Sequence, residues 1–139
     1  MAFAHGKLAA FKVDDSGGTL RDLSAYLNDI GFPRDQEMAD TTTFKTTGTA
    51  KTFIPGLSDS TISISGLFDA TADGYLAGLV GFASSQSFEY GPAGSTTGLV
   101  KYSGECFLTS YEVGSSVGDA VQASASFQVT GEITRGTWA

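Results

Sequence analysis

A mainly β domain, built as a two-sheet sandwich or barrel with one short docked α-helix, follows from three features of the 139-residue sequence. Apolar and polar residues alternate strictly over long stretches, which sends them to opposite faces of an extended chain. Eighteen Gly and frequent Ser and Thr divide the chain into strands and turns. One segment alone carries apolar residues at helical spacing. The length fits a single domain over 1–139, large enough to bury roughly two-thirds of its unfolded surface.

The elements follow in order. Residues 1–6 read as an N-terminal arm, and Lys7–Val13 as a strand. A turn is expected at Leu23–Leu27, then a strand at Ile30–Ala39, with Pro33 marking a sheet edge or strand start. Asp40–Ala50 has no apolar period and many Thr. With nothing to bury, it is expected to form a mobile inter-strand loop, spanning about 40–55. Ser60–Phe68 alternates again. Ala72, Tyr75, Leu76, Leu79 and Val80 fall on one helical stripe, with Asp69 or Thr71 as the N-cap and Gly81 as the stop. So short a helix needs the sheet beneath it.

Strands at Ser87–Tyr90 and Leu99–Ser103 flank the turn-rich Gly91-Pro92-Ala93-Gly94-Ser95. Phe107, Tyr111 and Val113 then alternate with Ser110 and Glu112 before a turn over 114–119. Val121, Ala123, Ala125, Phe127, Val129 and Ile133 alternate with Gln122, Ser124, Ser126, Gln128, Thr130, Glu132 and Thr134, interrupted by Gly131. These two segments make an antiparallel hairpin whose second strand exceeds the usual length. An uncharged polar face on such a strand suits a neighbouring subunit or a wet cavity.

The chemistry of an enzyme is missing. The sole His5 lies in the arm, far from any nucleophile signature, and is expected to be solvated. No phosphate-binding glycine motif and no metal-ligand cluster occur, so no catalytic, metal or cofactor residue is assigned. Glu105 with Glu112, and Asp69 with Asp73, are the available carboxylate pairs. They read better as solvated strand positions and as charges at a helix start. Cys106 sits in an apolar run and reads as inert packing.

Fifteen acidic against eight basic residues give a net charge of −7. The basic residues are scattered singly, so no nucleic-acid footprint exists, whereas an acidic surface lets DNA pass without sticking. No stretch is apolar enough to span a membrane, and the first residues do not read as a signal peptide. A cytoplasmic origin is expected. A second reading is a binding module for carbohydrate or peptide, with Tyr26, Tyr75, Tyr90, Tyr102 and Tyr111 as the aromatic surface. Packing is the better use of these rings, since Tyr75 lies on the helical stripe.

Several segments, taken together, resemble the tail tube (major tail) proteins of long-tailed, siphovirus-type phages. They are Leu23-Ser24-Ala25-Tyr26-Leu27, Asp40-Thr41-Thr42-Thr43-Phe44, Lys51-Thr52-Phe53-Ile54-Pro55-Gly56-Leu57 and Ser60 through Asp69. Phe88-Glu89-Tyr90-Gly91-Pro92, Ser110-Tyr111-Glu112-Val113, Gly118-Asp119-Ala120-Val121 and Phe127-Gln128-Val129-Thr130-Gly131 complete the series. The similarity keeps its order over about residues 20–137.

The resemblance implies a structural virion protein whose copies form six-membered rings that stack into a hollow tail tube. It implies assembly in the host cytoplasm around a tape-measure protein, with a tail terminator and baseplate or tail-tip proteins as further partners. The genome would pass through the lumen without specific binding. Glu105, Glu112, Gln122, Ser124, Ser126, Gln128, Thr130 and Glu132 are the candidate ring and lumen positions. Asp40, Thr41, Thr42, Thr43, Phe44, Lys45 and Lys51 are the candidate inter-ring positions, ordering with the N-terminal arm on contact with the next ring.

Overall fold

The computed structural model describes residues 3–44 and 48–139. A 3-10 turn, Gly6–Leu8, leads into β1 (Ala10–Asp14), β2 (Leu20–Asp22), β3 (Leu27–Gly31), β4 (Asp35–Asp40), β5 (Phe53–Asp59) and β6 (Thr61–Leu67). The helix α1 (Ala70–Ala77), β7 (Gln86–Gly91), β8 (Val100–Gly114) and β9 (Gln122–Thr137) follow. Seven strands form one antiparallel sheet in the order β2-β1-β7-β8-β9-β6-β3, and β4 pairs only with β5. The expected mainly β architecture of two antiparallel sheets and one helix is present.

The larger sheet curls over its own core. Phe32, just past the edge strand β3, reaches Phe88 of β7 and Tyr102 of β8 across the interior. The turn after β2 closes the other side, where Leu23 N–H donates to the Phe11 carbonyl and Phe11 N–H to Ser24 Oγ. Phe11, Phe88, Phe127, Leu23, Ile62 and Val13 are fully buried between them. Such burial of apolar area supplies the main favourable term in folding.

Helix α1 lies on this core through Ala72, Leu76 and, one turn on, Leu79. Asp69 is its N-cap, accepting from Thr71 N–H, as one of the two expected caps. The helix ends earlier than expected. Gly78 is the C-cap, and turns carry the chain on to Gly81, whose φ of +76° provides the reversal. Val80 is consequently exposed.

Four other expectations change. The strand expected over Ile30–Ala39 is two strands, because the chain leaves the barrel at Phe32-Pro33-Arg34. The strand expected from Lys7 begins only at Ala10. Leu99–Ser103 and Phe107–Val113 are one continuous strand, β8. Phe107 does not share a face with Tyr111, since a bulge at Thr109 changes the parity between Leu108↔Phe127 and Ser110↔Ser126. Leu108 packs on the core in its place.

Two substitutions probe this packing. Phe127→Ala is expected to cost about 3–5 kcal/mol, read as a lower urea midpoint. At Gly66 an added Cβ would lie 2.1 Å from the Tyr26 carbonyl oxygen and 2.7 Å from Leu27 Cα, both backbone atoms. Gly66→Ala is therefore expected to destabilise by at least about 2 kcal/mol, although it adds a single methyl group.

Candidate assembly surfaces

The first surface is the solvent side of the β6–β9–β8 sheet. Gln122, Ser124, Ser126, Gln128 and Thr130 form one row along β9, opposite the buried Ala125, Phe127 and Val129. Their neighbours on β6 are Thr61, Ser63, Ser65 and Leu67, and on β8 they are Glu105, Phe107, Ser110 and Glu112. Glu105 and Glu112 are an odd number of residues apart, which would set them on opposite faces of a regular strand. The Thr109 bulge corrects the phase, so both stand on the polar face, opposite Thr130 and Ser124. Past Thr130 the pairing becomes irregular around Glu132. Between Thr130↔Glu105 and Thr134↔Ser103, three β9 residues oppose one of β8, and Gly131 takes φ +82° there.

Most of this row is polar, and its charges are carboxylates. Glu105 accepts hydrogen bonds from Ser85 Oγ at 2.9 Å and from Ser87 Oγ. Gln128 is tied down: its Nε2 donates to Asp59 Oδ1 at 2.5 Å and to the Ser60 carbonyl at 3.2 Å. Gln122, Ser124 and Glu112 are open to solvent.

The second surface is the β4–β5 ribbon. Every residue of both strands is exposed, on both faces. Met38 and Leu57 are 62% and 80% exposed, and Phe53 and Ile54 more than half. Strand pairing reaches Asp40↔Phe53, so β5 takes up residues 53–55 from the stretch read as loop. Pro55 is accommodated because this part of the ribbon is irregular, with a register shift between Gln36 and Met38.

Beyond the strands, Thr41 N–H donates to the Thr52 carbonyl, and the Thr41 and Thr52 hydroxyls meet at 2.9 Å. Thr42 N–H donates to Asp40 Oδ1 at 2.8 Å, and this bond holds the Asp40 carboxyl below its usual range. Phe44 and Lys51 are exposed, as is Thr43, while Lys45 lies outside the described residues. Two strands sharing one ladder with no buried face are marginal in water.

The remaining candidates have structural partners. Asp69 caps α1, and Asp73 accepts from the Tyr111 hydroxyl at 2.6 Å. The tyrosines are dispersed: Tyr90 and Tyr102 stack on Phe32, Tyr75 lies under Arg21, Tyr111 meets the helix, and Tyr26 packs on the core. They form no single aromatic surface. Cys106 is fully buried, and its thiol is pushed up to about 12 by burial, aided by the Glu105 and Asp14 charges.

A barrel with a polar sheet face and an unsupported ribbon is the arrangement of a subunit. The family model described as phage tail tube protein matches residues 4–135. The chain belongs to the phage tail tube protein family.

Solved structures share the fold at low identity. The tail of an empty gene transfer agent particle, refined with C6 symmetry, aligns with TM-score 0.81 and 17% identity, over 97% of this chain and 100% of that one. The SPP1 tail tube aligns at 0.75 and 15%, over 97% and 80%. The sheath–tube complex of the extracellular contractile injection system PVC aligns at 0.70 and 11%, over 97% and 92%. No curated protein sequence matches the chain.

Sequence reasoning missed the three-residue β2 and, more consequentially, β5. A strand exposed on both faces carries no alternation, and Pro55-Gly56 reads as a break.

Alkaline pH tests the buried groups. The Cys106 thiol titrates higher in the folded chain than its ordinary 9.0, and burial together with the Asp73 bond raises Tyr111 above its ordinary 10.0. Both groups hold their protons more tightly when folded. Their contribution is complete below those ordinary values and is lost progressively as pH rises from them through the raised folded values. Thermal midpoints are therefore expected to fall from roughly pH 9 upward, less steeply in Tyr111→Phe. A thiol reagent at pH 8 is expected to modify Cys106 only as the chain unfolds.

Proposed function

We propose that this member of the tail tube family is the subunit of a hollow tail tube, in which copies close six-membered rings and the β4–β5 ribbon joins one ring to the next. The ribbon carries the reading. It exposes Met38, Phe53, Ile54 and Leu57 and, among the described residues, leaves both outer strand edges unpaired. Apolar residues and free edges of this kind are an association surface. Docking on another copy buries the side chains and completes the ladders. Rings require a head-to-tail interface, and stacking without closure gives a filament.

The β8–β9 polar face is placed toward the lumen. Glu105 and Glu112 set the sign of its charge, and the Ser, Thr and Gln between them hold water without binding phosphate. The genome then slides past. The N-terminal arm, with Phe3 exposed, and the β8–β9 turn, with Val117 exposed, are further contacts between copies. A tape-measure protein inside the tube, a terminator and baseplate or tail-tip proteins at its ends, and assembly in the host cytoplasm complete the proposal. Its chemistry is mechanical rather than catalytic.

Deleting residues 41–50 tests the ribbon. The expected product is a folded monomer with the wild-type circular dichroism spectrum and no tubes by negative-stain microscopy; tubes like those of the wild type would overturn the ribbon's role. The lumen assignment has its own test. Assembled Glu112→Lys, Ser124→Lys tubes are expected to retain DNA after ejection, or to bind it with a steep dependence on salt. Indifference of these tubes to DNA would place that face elsewhere.

A further inference from the structure

The ribbon meets the barrel through two short roots, and the structure shows how they are held. At the first, the Phe32 ring stacks on Tyr90 and on Tyr102, with centroids 5.5 Å away in both cases and planes inclined by 18° and 27°. It also meets Phe88 at 5.8 Å. Arg34 lies 5.9 Å over the Tyr102 ring. At the second root, Gln128 reaches from β9 to Asp59 and Ser60, while its Oε1 accepts from Thr61 Oγ1 at 3.2 Å. The buried Ser60 hydroxyl donates to the Pro33 carbonyl at 2.5 Å and so ties one root to the other.

These contacts do more than fill the core. Phe32 stands outside the fully buried cluster and packs against its rim. Beyond the roots the ribbon is exposed along its whole length, so its direction is set at its base. Aromatic stacking in a partly buried site contributes beyond its area burial. Pro33 adds a fixed φ at the point of departure.

We propose that Phe32 and Gln128 are positioning residues that fix the direction in which the ribbon leaves the barrel, so that it reaches the next copy already oriented. The role rests on the reading of the ribbon as the contact between rings. Fixing the direction beforehand removes part of the ordering entropy from assembly, which is how preorganisation raises affinity.

The test separates direction from assembly. Spin labels at Leu57→Cys on the ribbon and Ala77→Cys on α1 report the distance between ribbon and barrel in dilute, unassembled protein. The buried Cys106 thiol stays unlabelled. A narrow distance distribution is expected in this background and a broad one in Phe32→Ala, with Phe32→Tyr restoring the narrow one. Gln128→Ala alters a residue on the solvent side of the sheet and is expected to broaden the distribution while the urea midpoint changes little. An unchanged distribution in both variants overturns the proposal whatever happens to assembly. The concentration needed for tubes is expected to rise about tenfold in Phe32→Ala. A broadened distribution with unchanged assembly supports the anchor and overturns the inter-ring reading on which its role depends.

Discussion

The hydrogen-bonded ladder between β8 and β9 is the interaction on which the rest of the molecule depends. It runs from Val100↔Thr137 to Gly114↔Gln122 and joins two halves of the sheet. β8 carries β7, β1 and β2 on one side; β9 carries β6 and β3 on the other. Curling the sheet about this ladder brings Phe11, Phe88 and Phe127 into one core and leaves a continuous polar row outside. One pairing therefore creates both the stability of the subunit and the polar face proposed to line the lumen.

Much of this was legible in the sequence, and what was not has identifiable causes. Ala125, Phe127 and Val129 alternate with Ser124, Ser126 and Gln128 because one face of β9 is buried, and periodicity reports burial. Asp69 announced the helix start through its capping chemistry. The bulges were invisible. Nothing in the residues around Thr109 tells that one of them is extra, yet that residue decides that Leu108, and not Phe107, faces the core. Gly131 signalled an interruption without revealing that three residues would oppose one.

The ribbon was hidden for the opposite reason. With no buried face, β5 has no hydrophobic period, and its first residues, 53–55, read as loop. Its lack of pattern agrees with the proposed role, since a contact between rings would give both faces their neighbours. The roots reconcile this freedom with an ordered assembly. Phe32, Pro33, Ser60 and Gln128 spend side-chain contacts on a connection rather than on the core.

Protection of the ribbon amides is the most direct measure of whether copies of this chain supply what the single chain lacks. Hydrogen exchange over residues 35–59, compared between dilute monomer and concentrated assembled protein, reads it. Fast exchange in the monomer and strong protection in the assembly are predicted, while β8 and β9 stay protected in both. Ribbon amides that exchange equally fast in both states would contradict the account.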